Sequence, residues 1–578
     1  MLGGIIDTSQ SAFVEGRSMI ENIHLVQELL RKYNRKRVSP RCLIKVDLRK
    51  AYDSVSWDFL AEVMAGLKFP DRFIGWIMQC VTSPSYSIGL NGGIWGMFNG
   101  KKGLRQGDPL SPFLFLICIE YLSRSLKVST NRLGFKFHPR CGNLRLSHLA
   151  FADDLMLMAR GDITSVSIIM DSLKDFGLKS GLCANLLKSN LFTAGVYGEE
   201  LVQLRQLTGI PVGVMPFRYL GVPLAARRLQ VDHFAPFVDK ITMYINSWVA
   251  SSLSFAGRAE LIRSVLQGVD CFWLSIFPVP GAIIDRVTRL CRNFLWHKRH
   301  HPVSWKSICL PKSEGGLGFR DLKTWNDSLL AKSFWNIHKK KDTLWVRWVH
   351  HIYLKGDVSA WDWKCIRDDS PLLKRLVAIR DKICHVEGSV EAAKRRVTSW
   401  VIGERMCISL GYEFFRYKGS RLSWTSSVWN SYVTPKHACT LWLAARKRLP
   451  TKDRLTFLQV EDSCVLCVGN KESADHLFFQ CSFSAMVWRY IRDWLGISRE
   501  MSTISSALKW IKKEAKGSSG KAKAKKVALA CTVYHLWNSR NRKIFEGQTQ
   551  EVVSTVFKIK LHIYRTIFNL DPNATVEF

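Results

Sequence analysis

The stretch Leu149-Ala150-Phe151-Ala152-Asp153-Asp154-Leu155-Met156-Leu157-Met158 sets two adjacent carboxylates between two apolar runs. Four to five strand-compatible residues on each side of a short acidic tip predict a β-hairpin. Two like charges side by side at that tip cost free energy unless cations neutralise them, so the pair suits a divalent metal with oxygen ligands. The plain alternative is an ordinary turn, where Asp is favoured for its own backbone hydrogen bonds.

A third carboxylate adds weight to the metal reading. Cys42-Leu43-Ile44-Lys45-Val46-Asp47-Leu48 is another strand-like run carrying an acid at its end. Asp47 and Asp153 are 106 residues apart (153 − 47), so only a fold that joins two strand ends makes one site of them. Three carboxylates on adjacent strand ends meet the needs of two-metal phosphoryl transfer, in which one ion activates a hydroxyl and the other steadies a leaving pyrophosphate.

"VDLRKAYDSV" around Asp47, "GLRQGDPLSP" from Gly103 and "FADD" from Phe151, in that order and spacing, resemble the palm of a reverse transcriptase of plant non-LTR (LINE-type) retrotransposons. The resemblance runs over nearly the whole chain. It implies an α+β fold: a right-hand polymerase palm and fingers with an antiparallel sheet, a helical thumb, then a mostly helical C-terminal region with a small zinc-binding module. The expected divisions are 1–225 for partial fingers and palm, 226–300 for a thumb-like helical region, and 301–430 for a Trp-rich basic connection. A zinc module at 431–500 and a basic linker with a helical tail at 501–578 complete them.

By the same resemblance, Asp47, Asp153 and Asp154 hold two Mg2+ or Mn2+ ions, with the Leu48 carbonyl sharing one. Tyr52 falls where an aromatic sits under the sugar of the incoming nucleotide and would exclude a ribose 2′-hydroxyl; its alternative is a core aromatic. Gln106 and Gly107 line the template and nucleotide side, with Arg105 near phosphate. Lys188 matches a lysine that approaches the pyrophosphate, or is a surface lysine. Tyr219, Leu220 and Gly221 resemble the hairpin that grips the primer 3′ end, and Gly16 and Arg17 match a fingers segment. The implied activity is RNA-directed DNA polymerisation from deoxynucleoside triphosphates on an RNA template with a DNA primer or target. No basic fingers hairpin precedes Met1, which gives the expectation of an N-terminally truncated copy; the alternative is an inactive relic that at most binds nucleic acid.

Cys464, Cys467, His476 and Cys481 give C-x2-C-x8-H-x4-C, the ligand types and spacing of a closed tetrahedral, structural zinc site. The cluster also resembles the zinc-binding module of the same family, including "HLFFQC" and Trp488. Lys+Arg 84 against Asp+Glu 48 leaves a net charge of +36, a surplus that calls for a polyanionic partner. Basic groups such as His297-Lys298-Arg299-His300-His301 and Lys339-Lys340-Lys341 alternate with tryptophans, most of them expected in the core. The lysine-rich stretch 512–526 predicts a flexible linker or phosphate-binding arm. The sparse acids of 501–578, among them Asp571 and Glu577, show no pattern of strand-borne carboxylates, so no ribonuclease H activity is expected. No apolar run reaches the eighteen or so residues of a membrane span. Localisation inside the cell, in the nucleus, is expected over secretion. The sequence leaves the oligomeric state open.

Overall fold

A computed structural model describes residues 2–35, 37–248, 252–297, 301–355, 358–455, 461–517 and 519–570. Lys298, Arg299 and His300 of the basic run, and Asp571 and Glu577 of the tail, lie outside the described residues. Two compact units result. One comprises 1–236, 273–279 and 326–411; the other comprises 237–272, 280–325 and 412–578. Chain order and spatial unit therefore do not coincide between residues 237 and 411.

The first unit is organised by an antiparallel four-stranded sheet, β1 (Arg41–Val46), β4 (His148–Phe151), β5 (Asp154–Ala159) and β6 (Asn190–Ala194), in the order β4-β5-β1-β6. The expected hairpin at 149–158 is β4-β5. Strand alternation sorts β1 and β5 into two faces. Cys42, Ile44 and Val46 lie opposite Ala159, Leu157 and Leu155 and join the main core with Leu60, Phe115, Leu116 and Phe176. Those last residues come from helices Trp57–Gly66, Ser111–Ser129 and Ile163–Ser180. Ser56 and Asp162 cap the first and third of these helices by accepting from Phe59 N and Ser165 N. Leu43, Met156 and Met158 are buried on the opposite face.

Two further hairpins extend this unit. β2 (Ser85–Leu90) and β3 (Gly93–Asn99) turn at Asn91-Gly92, both with positive φ, as a tight hairpin requires. β7 (Phe217–Tyr219) and β8 (Val222–Leu224) turn in the same way at Leu220 (φ 47°) and Gly221 (φ 82°). Residues 326–411 join the unit through buried polar contacts: Tyr353 donates to Glu28 at 2.6 Å, and Asn326 Nδ2 donates to the Phe277 carbonyl at 2.8 Å. As expected, Trp335, Trp345, Trp348, Trp361 and Trp363 are core residues.

The second unit is mainly helical, with helices at Pro435–Ala445, Ser482–Leu495, Ile504–Glu514, Gly520–Glu546 and Val552–Leu570. Its buried ion pairs include Arg416–Glu314 and Arg540–Glu472, with nitrogen–oxygen contacts of 2.8 and 2.7 Å. The lysine-rich stretch 512–526 departs from the expected flexible linker. Helices Ile504–Glu514 and Gly520–Glu546 take up most of it; Ser519 caps the second by accepting from Ala522 N, and Ala522 and Ala524 are buried. Alanine and lysine are both good helix formers, and that propensity prevails once one face is covered. All sixteen cysteines are free thiols. Among the described residues no helix is long and apolar enough to cross a membrane.

Gly181 ends helix Ile163–Ser180 at φ 78°, and a Cβ there would lie 2.4 Å from the Ser54 carbonyl oxygen. Gly181→Ala should cost about 2 kcal/mol or more. It is expected to lower the first calorimetric unfolding transition by several degrees; an unchanged transition would contradict the close approach.

Candidate active site and metal centre

Strand register brings the distant acids together. Val46 lies opposite Leu155, so one step further along the antiparallel pair Asp47 faces Asp154, on the side chain face away from the main core. Burial pushes the Asp154 carboxyl up; Lys45 pulls it back, while the charges of Asp153 and Asp47 push it up further. Asp154 is thus within electrostatic reach of both other acids. Asp153 is exposed at the hairpin tip, and Asp47 is half-buried. The three carboxylates do not close to within 4.8 Å of one another as the Cys/His cluster below does.

The backbone around Asp47 is held by the segment preceding β6. Asn185 N donates to the Asp47 carbonyl at 2.7 Å, Arg49 N donates to Cys183 O at 2.9 Å, and Leu48 bridges Ala184 between them. Asp47 N donates to Ser189 Oγ at 3.1 Å. Lys188, next to Ser189, is exposed and ion-paired with none of the three acids.

Ala152, Gln10 and Lys45 are anchors that the sequence did not single out. Ala152, at the hairpin tip, has φ 53°, and its N–H donates to Gln10 Oε1 at 3.2 Å. Gln10, 1% exposed, also accepts from Ala12 N, and its own segment pairs with β4 at Ala150. Arg17 in turn donates to the carbonyls of Ile6, Asp7 and Gln10, so it clamps this segment rather than lying free on the surface. Lys45 donates to the Arg218 carbonyl at 2.9 Å, which ties the β7-β8 hairpin to the sheet beside Asp154. Tyr219 is buried there; burial raises its hydroxyl pKa first, and the Asp154 charge adds to it. A periodicity argument has no purchase on a lone glutamine or serine whose role comes from contacts 142 residues away.

Tyr52 stacks on Phe115 with centroids 4.8 Å apart. Burial, then the charge of Asp153, raises its hydroxyl pKa, so the ring spans the core and the acidic site. The 103–107 loop is stitched to the same segment: Gly103 N donates to Val55 O, Leu104 N to Tyr52 O, and Trp57 Nε1 to Gly103 O. A Cβ at Gly103 would meet Asp53 O at 2.8 Å, so only glycine permits this contact. Gln106 approaches Asp53 at 3.5 Å, Gly107 has φ 89°, and Arg105 pairs with Asp108 at 2.9 Å. Gln106 is thereby brought beside Tyr52's own segment, whereas Arg105 spends its charge on a neighbouring acid.

The second constellation lies in the helical unit. The ligand atoms of Cys464, Cys467, His476 and Cys481 all lie within 4.8 Å of one another. Cys464 Sγ and Cys481 Sγ are 3.9 Å apart, and Cys467 Sγ and His476 Nε2 are 3.3 Å apart. A tight turn presents the first two thiols: Val468 N donates to Cys464 O, Cys464 N donates to Asn470 O, and Val468 has φ 59°. His476 begins a single π-helical turn, and its carbonyl accepts from Cys481 N at 2.7 Å. Beneath it, Trp488 Nε1 donates to Phe478 O at 2.7 Å. Three soft thiols and an imidazole, all but Cys467 buried, suit a structural zinc ion.

Two family models match the chain. Residues 2–224 match the reverse transcriptase (RNA-dependent DNA polymerase) model, and residues 408–488 match the model for zinc-binding in reverse transcriptase. Among relatives, a putative ribonuclease H protein of Arabidopsis thaliana is 30% identical over 186 residues, 31% of this chain and 30% of that one. A 149 kDa protein of transposon TX1 from Xenopus laevis is 26% identical over 321 residues, 55% and 24% of the two chains. The Pol polyprotein of retrotransposable element R2 from Popillia japonica is 24% identical over 312 residues, 52% and 50%. The chain thus spans from about a quarter to a half of the length of these relatives.

Replacing Cys464 and Cys467 together by serine should remove one equivalent of zinc per chain in elemental analysis; unchanged zinc content would refute the cluster as a metal centre.

Proposed function

We propose that this chain, which carries a reverse transcriptase domain of the non-LTR retrotransposon type and the zinc-binding domain that accompanies it, is an RNA-directed DNA polymerase. The observation that carries the reading is the β1-β5 register, which sets Asp47 opposite Asp154 with Asp153 at the adjoining tip. Burial raises the Asp154 carboxyl and the charges of Asp153 and Asp47 add to it; Asp47, Asp153 and Asp154 would hold Mg2+ there. When bound, such ions supply an activated 3′-hydroxyl nucleophile and charge stabilisation for the departing pyrophosphate.

The chain's own residues would do the rest. Tyr52, braced on Phe115, presents a ring beside Asp153 where a ribose 2′-hydroxyl would collide with it. The Gly103–Gly107 loop, bonded to Tyr52's segment, offers backbone and the Gln106 amide to template and nucleotide. The β7-β8 hairpin, tethered by Lys45, holds the primer end above the acids with Tyr219, Leu220 and Gly221. Lys188, exposed at the same end of the sheet, is free to approach pyrophosphate. The net charge of +36 supports a nucleic-acid template and primer as partners. An inactive relic is not favoured, since the three acids and the segments that hold them are all present.

Primer extension on an RNA template tests this. Asp153→Asn should reduce extension about a thousandfold or more, from lost charge stabilisation; activity equal to wild type would sink the assignment. Tyr52→Ala should raise ribonucleotide incorporation by about tenfold or more relative to deoxynucleotide, about 1.4 kcal/mol of lost discrimination. An unchanged ratio would return Tyr52 to the role of a core aromatic.

A further inference from the structure

Three histidines on three helices of the second unit meet in its interior: His437 on Pro435–Ala445, His535 on Gly520–Glu546 and His562 on Val552–Leu570. One ring nitrogen from each lies within 4.8 Å of the others. His437 is 1% exposed and His535 8%, while His562 is half-buried. Their ring centroids are 5.1 to 5.9 Å apart.

Two features make this more than aromatic packing. His535 Nε2 and His562 Nδ1 are 3.2 Å apart. Two nitrogens on one tetrahedral ion, each about 2.0 Å from it, stand about 3.3 Å apart. Both ring nitrogens of His437 are buried without a hydrogen-bond partner. A neutral imidazole needs one acceptor and one donor, so a buried ring with neither costs about 1–3 kcal/mol. An ion between the three rings would satisfy one of those nitrogens.

We propose that His437, His535 and His562 form a second metal site, a three-imidazole set for a divalent transition-metal ion of the zinc class, distinct from the Cys464–Cys481 centre. Three imidazoles from three helices supply the nitrogen ligands that such an ion takes. Tyr534 packs against His437, with ring centroids 4.4 Å apart and the planes tilted by 36°.

Lys436, Lys558 and Arg565 contribute positive potential around the cluster. Lys436 lies over the Tyr534 ring, and Lys558 donates to Gln550. That field opposes a bare dication, and a hydroxide or other small anion as fourth ligand would offset it. Imidazole ligation with a fourth position for solvent is a zinc arrangement, whereas hard cations prefer oxygen ligands. The bound ion would pin helix Val552–Leu570 to the helices beneath it.

The test is metal stoichiometry on the tag-free full chain, loaded with zinc and dialysed, and again with cobalt. Wild type should hold two equivalents, and His535→Gln with His562→Gln should hold one. Cys464→Ser with Cys467→Ser should keep one equivalent, whose cobalt form shows visible d–d absorption without a thiolate charge-transfer band. A single equivalent in wild type would overturn the proposal, as would a second equivalent that survives the histidine changes. Should either variant fail to fold by circular dichroism, wild-type cobalt decides: two equivalents with only the first developing thiolate charge transfer support the site, and one equivalent refutes it.

Discussion

Everything in the candidate polymerase site follows from one register. β1 and β5 are paired so that Val46 meets Leu155, and a slip by one residue would turn Asp47 to the helix-covered face and its apolar neighbours outward. The register is strongly specified because both faces are buried: Cys42, Ile44 and Val46 fill one side, and Leu43, Met156 and Met158 the other. The core thereby enforces an arrangement that the acids alone would resist. Like charges held near one another are unfavourable in the absence of cations; burial raises the Asp154 carboxyl first, and the charges of Asp153 and Asp47 raise it further.

The surrounding contacts stabilise the same arrangement through the backbone. Gln10 holds the positive-φ residue at the hairpin tip, Ser189 and Asn185 hold Asp47 on its other flank, and Lys45 joins the β7-β8 hairpin to the sheet. Each of these groups touches main chain and leaves the carboxylates free for ions. The Gly103–Gly107 loop follows the same logic, bonded by its main chain to residues 52–55 while its Gln106 side chain approaches Asp53. The zinc centre differs in kind: its four ligands come from one short stretch and need only a turn and a single helical distortion to converge.

The legible parts of the sequence were those where chemistry and spacing are local. The acidic hairpin, the strand ending at Asp47 and the C-x2-C-x8-H-x4-C cluster all lie where alternation and ligand spacing put them. Gln10, Ser189 and Lys45 were illegible because each acts on residues far away in the chain, and nothing in their own neighbourhood distinguishes them. The lysine-rich stretch misled for a different reason: composition marks it as solvated, yet its alanines at 522 and 524 give it a face to bury. The three histidines are separated by 98 and 27 residues (535 − 437 and 562 − 535), intervals that match no ligand spacing, so only the helix arrangement brings them together.

The central claim is that Asp47 and the Asp153-Asp154 pair share ions. Iron-directed backbone cleavage measures this directly: Fe2+ replaces Mg2+ on the full chain, ascorbate and peroxide generate hydroxyl radicals at the bound ion, and the cut positions are read by mass spectrometry. The account predicts cuts near residue 47 and near residues 153–154 in the same sample, both suppressed by excess Mg2+. Cutting at one of these segments alone, or cuts that Mg2+ does not suppress, would contradict it.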